Sequence, residues 1–139
     1  MKRFLCVLVA ALAAAVPAAA KEGAHAHLLA PLPAHPNPGT FITVRWSVDL
    51  PGPGGKRVPF GAIGMFVRLV GGDGASTTAA APQVYGPPYS VRIRVPAGGV
   101  RDIQIGLRGW ALTPSGRHPA PELFPITNNP LHPVGRENR

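Results

Sequence analysis

His25 and His27 lie two residues apart, so on a strand their imidazoles leave the same face. Two such imidazoles are half of a site for copper, zinc or nickel. His35, His118 and His132 are the other histidines, and only the fold could bring them to the pair. A second set is cationic. Arg45, Arg68, Arg92, Arg94 and Arg108 each fall opposite or beside an apolar face in an alternating stretch. Carried by neighbouring strands, they form a basic face for an acidic protein or an anionic envelope component. A plainer reading of both sets is solvent exposure: histidines in a polar leader, and charges that keep a sheet's outer face soluble. No aromatic residues are expected to interleave the arginines for base stacking, which argues against a nucleic-acid partner.

The inventory for catalysis is thin. Glu22, Asp49, Asp73, Asp102, Glu122 and Glu137 are the only carboxylates, and most sit in turns or at strand ends. No serine stands in a G-x-S-x-G elbow. The chain has no phosphate-cradling G-x-x-x-x-G-K-[ST] loop and no H-E-x-x-H pair. The expectation is a protein that is not an enzyme.

The chain's ends and turns set the frame for these residues. Lys2 and Arg3 precede the apolar run Phe4 to Val16, Pro17 breaks it, and Ala18-Ala19-Ala20 offers a small-residue cleavage site. That is the pattern of a secretory signal peptide over residues 1–20, and the run is short for a membrane span of about 20 residues. Removing 20 of the 139 residues leaves 119, and losing Lys2 and Arg3 lowers the formal net charge from +8 to +6. Cys6, the only cysteine, goes with them. The mature chain would then have no disulfide, no Cys-ligated zinc and no thiol nucleophile. It must rely on an apolar core, which 119 residues can build. No later apolar stretch is long enough to span a membrane, and a periplasmic or extracellular monomer is expected.

Gly and Pro number 17 and 18, and they punctuate short alternating segments. Residues 21–40 read as a leader with one short strand, because Pro31, Pro33, Pro36 and Pro38 forbid helix. From 41 to 50, Ile42, Val44, Trp46, Val48 and Leu50 share one face, which puts Trp46 in a core. Pro51 to Gly55 reads as a long flexible loop. Residues 65–70 carry apolar residues on both faces, which marks a central strand, and Gly71-Gly72-Asp73-Gly74 is a hairpin signal. Residues 76–80, 89–95, 102–110 and 123–127 complete the strands, the last interrupted by Pro125, which suits an edge or a bulge. Trp110, at a strand end, is the better-exposed of the two tryptophans. Residues 128–139 read as a flexible tail after a domain spanning 41–127. No stretch keeps a helical period, so the fold class is all-β: a single antiparallel sandwich, immunoglobulin-like, of about seven strands.

The "TVRW" strand, the "VRLVGGDG" hairpin and "YSVRIRVPAGG" together resemble small bacterial exported domains of the YtkA-like and FixH-like type, over roughly residues 40 to 110. That resemblance implies an exported immunoglobulin-like binding or accessory module of unassigned ligand. The segment "AHAHLLAPLPAHPNPGT" is similar to the start of CopC-type copper proteins, which are cut just before a histidine. It implies an alternative: a periplasmic copper protein using His25 and His27, with a cut after Ala26 in place of Ala20.

Overall fold

A computed structural model describes residues 23–82 and 86–131. The expected signal peptide lies outside the described residues. Ten strands form two packed sheets and a separate hairpin. The first sheet holds β1 (His25–Leu28), β2 (Phe41–Pro51), β3 (Arg57–Pro59) and β6 (Tyr89–Arg94). β2 is its spine: β1 runs along one edge, while β3 and β6 share the other, all antiparallel to it. The second sheet has the order β10 (Glu122–Phe124), β7 (Asp102–Leu107), β4 (Met65–Val70), β5 (Ser76–Ala80). The hairpin is β8 (Trp110–Thr113) with β9 (Gly116–Pro119).

Alternation explains the core. Ile42, Val44, Trp46 and Val48 of β2 are buried against Met65, Val67 and Leu69 of β4 and Ile103 and Ile105 of β7. Trp46 is fully buried and stacks on Tyr89, with ring centroids 5.4 Å apart. Tyr89 accepts from the Ala62 N–H at 2.9 Å, so its polar tip is satisfied. The all-β sandwich is the fold expected. Four strands face four, and just past β10 the chain bridges back to β1, which closes an antiparallel sandwich.

Both sides of the sandwich are tied. On one, Thr77 of β5 donates from Oγ1 to the Arg94 carbonyl of β6. On the other, the chain changes sheet at Pro125. Residues up to Phe124 pair with β7, whereas Ile126 forms a parallel bridge with Ala26 of β1. Pro125, with no N–H to give a ladder, stands where the strand leaves one sheet for the other.

Four local expectations change. Pro51 to Gly55 is not a long flexible loop. A 3-10 turn at Pro53–Gly55 returns the chain as β3, with Gly52 N–H bonded to Lys56 O at 2.6 Å. The expected strand 102–110 ends at Leu107, and Trp110 opens β8. The β8–β9 hairpin has no apolar period, so its sequence reads as loop. The packed chain runs beyond Thr127: Asn128 bonds both ways to Leu28 at 2.8 Å, Asn129 is buried, and Leu131 packs on the core. The remainder of the expected tail, 132–139, lies outside the described residues. Among the described residues no helix is long and apolar enough to cross a membrane.

Candidate functional site

Two clusters hold chemistry, one on each sheet's outer face. The first is centred on His27. The alternation of β1 buries Ala26 and Leu28 and turns His25 and His27 outward. Register places His25 opposite Asp49 and His27 opposite Ser47. His27 Nε2 lies 2.6 Å from Asp49 Oδ2, and His27 Nδ1 lies 2.6 Å from Thr127 Oγ1. Arg57 of β3 donates from Nε to the other Asp49 oxygen and from Nη2 to the Gly23 carbonyl. Burial pushes the Asp49 carboxyl up, but hydrogen bonds and charge from Arg57 and His27 outweigh it and hold it below its ordinary value.

A hydroxyl, an imidazole and a carboxylate in line are the ingredients of an activated nucleophile. One necessary part is committed elsewhere. The Thr127 N–H, the natural donor to an oxyanion formed at its own side chain, is bonded to the Ala26 carbonyl at 3.0 Å. The cluster joins β1, β2, β3 and the crossover segment at one point. It also weighs against His27 as a copper ligand, because both its ring nitrogens already have partners. Among the described residues no group of three or more His, Cys, Asp or Glu side chains could hold a metal ion. His118 lies on the β9 strand of the hairpin, bonded to Ser115, and His35 is exposed in the leader. His132 is outside the described residues.

The expected basic face divides in two. Arg45, Arg92 and Arg94 are exposed on the outer face of the first sheet, where Arg92 opposes Thr43 and Arg94 opposes Phe41. Arg68 is on β4 of the second sheet and Arg108 just follows β7, and the outer face of that sheet points away from the first. Equal strand parity does not tell two sheets apart, and that is why the sequence grouped them. The expectation that no aromatic interleaves the arginines is also corrected. Phe41 is 57% exposed, and the Arg92 guanidinium sits 5.0 Å from its ring centroid.

The second cluster is a groove of about 330 Å³ between the second sheet and the β8–β9 hairpin. Its floor is Phe66, which points outward from β4 and yet is only 2% exposed. The ring packs against Gly106 of β7. A Cβ at that glycine would come within 2.6 Å of Phe66 Cζ and 2.6 Å of the Glu122 carbonyl. The walls are Trp110, Pro119 and Pro121, and Arg68 and Arg108 stand at the groove. Trp110 is 55% exposed, and Arg117 covers its ring at 4.5 Å. Arg68 lies 5.6 Å from the Phe66 centroid and bonds to Thr78 Oγ1 at 3.3 Å and Gln104 Oε1 at 3.4 Å. Sequence reasoning had Trp110, Arg68 and Arg108 but missed Phe66, Pro119 and Pro121. The available signal was the second apolar face of residues 65–70.

No protein-family model, curated protein or solved structure matches the chain. The site therefore rests on its own geometry.

Proposed function

We propose that the chain is an exported, non-enzymatic binding or accessory module, and that its ligand sits in the groove between the second sheet and the β8–β9 hairpin. The observation that carries this is the pairing of a half-exposed tryptophan with an outward, covered phenylalanine in a groove of small-molecule size. A large exposed ring beside a concave, largely apolar surface is the kind of patch that marks a recognition site. Export rests on the basic, apolar and small-residue pattern of residues 1–20. The likeness of residues 40–110 to YtkA-like and FixH-like exported domains points the same way.

The copper alternative needs a cut after Ala26. That cut would remove Ala24 and Ala26, which are 4% and 0% exposed in the core. It would also remove the Ala26 N–H and C=O that bond Pro125 and Thr127. Cleavage after Ala20 spares all of β1, and Lys21 is the expected mature N-terminus.

Fluorescence separates the groove from the core. Trp46→Phe leaves Trp110 as the single tryptophan. Probes of the anilinonaphthalene type, excited directly, should bind and light up on this variant, and that uptake should fall in Trp110→Ala, which removes a wall of the groove. Probe uptake that ignores Trp110 would sink this reading. Mass spectrometry of protein from its native envelope checks the N-terminus, and an intact 1–20 segment there would remove the exported assignment.

A further inference from the structure

We infer that the groove is selective for a small amphipathic anion: a flat apolar body carrying a carboxylate, sulfonate or similar group. This rests on the groove being the binding site and adds the chemistry of its occupant.

Three observations converge. The first is Arg68. It projects from β4, an inner strand of its sheet, and is only half-exposed. A guanidinium has five N–H donors. Those of Arg68 that are hydrogen-bonded reach neutral oxygens at the long distances of 3.3 and 3.4 Å. A partly desolvated cation with such weak neutral partners gains most from an anion, because charge-assisted pairs are shorter and roughly twice as strong. The second is Arg108, exposed at the same groove, its backbone N–H fixed on the Gly64 carbonyl at 2.9 Å. The third is the rest of the lining. Phe66, Thr78, Gly109, Trp110, Pro119 and Pro121 supply rings and aliphatic surface and no carboxylate.

Apolar surface and two arginines lining one groove match a ligand that is apolar along its body and negative at one end. About 330 Å³ holds roughly ten water-sized groups at about 30 Å³ each, which suits a small aromatic acid rather than a long lipid. Arg117 has a positioning part: its guanidinium over Trp110 holds one side of the indole and leaves the ring to serve as a wall.

Two probes with one skeleton test this. 8-Anilino-1-naphthalenesulfonate and N-phenyl-1-naphthylamine differ by the sulfonate alone. On the full chain carrying Trp46→Phe, with Trp110 as energy donor, the sulfonate should bind about tenfold tighter or better. Arg68→Gln with Arg108→Gln should erase that preference, bringing the ratio of the two probes' affinities to about one. Arg45→Gln with Arg92→Gln, on the opposite face, should leave the preference intact. If Arg68→Gln perturbs folding, Arg108→Gln alone carries the test, since that side chain is exposed. Equal or tighter binding of the neutral probe through Trp110 would overturn the anion inference while the groove reading stands. A preference lost equally in the Arg45 and Arg92 variants would reduce it to net charge and overturn it as well. If neither probe receives energy from Trp110, the groove reading itself fails.

Discussion

Where β2 and β6 pair, the outward residues are Phe41, Thr43, Arg45, Ser90, Arg92 and Arg94, all of them exposed, and the one ring among them stands at the strand end under the Arg92 guanidinium. The outward residues of β4 are Phe66, Arg68 and Val70, and there Phe66 is 2% exposed beneath the β8–β9 hairpin. Both strands alternate, and both bury their inward set in the same core. The difference lies in what the outward set needs. Arginine, threonine and serine are satisfied by water. An outward phenylalanine on an inner strand gains roughly 2–3 kcal/mol from being covered. The chain leaves the sheet after Leu107 and forms a hairpin whose Trp110 and Pro119 line one groove with Phe66. Because the cover is partial, a groove remains. One face is closed chemistry, its Asp49 charge already partnered by His27 and Arg57. The other has Arg68, whose neighbours include the Phe66 ring and the neutral oxygens of Thr78 and Gln104.

The comparison predicts the largest energetic effect in neither face but between them. Trp46→Ala should cost about 3–5 kcal/mol, the range for a buried aromatic truncated in a core. Trp46 is fully buried, and its Nε1 has no hydrogen-bond partner. Trp46→Phe should therefore cost much less, because it keeps the stack on Tyr89 and removes an unpaired donor. Denaturant unfolding of both variants checks this; equal losses would mean that the indole donor is satisfied in solution.

Gly106→Ala comes next, at about 1–3 kcal/mol, the usual cost of overpacking. The new methyl meets the Phe66 ring and the Glu122 carbonyl, so it strains the floor of the groove and the β7–β10 ladder together. Adding Phe66→Leu should recover part of the loss, since neighbours in contact are not additive. Full additivity in that double variant would mean that the ring does not lie on Gly106.

The two faces were unequally legible in the sequence. Strict alternation gave β2 and β6 almost to the residue, and the outward arginines with them. The same logic marked 65–70 as central, which it is, but stopped short of asking what covers Phe66. The hairpin was invisible because Trp110 to Pro119 has no apolar period. Asp49 and Thr127 went unnoticed as partners of His27 for a related reason. Thr127 is 100 residues from His27, and only the change of sheet at Pro125 brings it to β1.

Asp49 tests the closed face. At neutral pH, Asp49→Asn should cost about 1 kcal/mol, the net worth of a typical hydrogen bond in this half-exposed setting. Its carboxyl is held below its ordinary value in the folded chain, so the native state favours the ionised form. That contribution is complete above about pH 4 and is lost as pH falls through the folded value. The stability gap between the wild-type chain and Asp49→Asn should therefore close on acidification. A gap that stays constant from pH 7 to pH 3 would mean that Arg57 and His27 do not favour the charged carboxylate.

The smallest effect on stability belongs to the other tryptophan, and it is the sharpest test of the comparison. Trp110→Ala removes a ring that is 55% exposed, attached to a two-stranded hairpin outside both sheets. The core loses nothing, and what goes is the Arg117 stack, worth about 0.5–1 kcal/mol at an exposed site. The expected loss is below about 1 kcal/mol, against about 3–5 for Trp46. The same residue type then separates two duties: Trp46 holds the sandwich together, and Trp110 faces what the sandwich meets. A loss of 3 kcal/mol at Trp110 would make the hairpin part of the fold's foundation, and the groove beneath it would be packing rather than a place for a ligand.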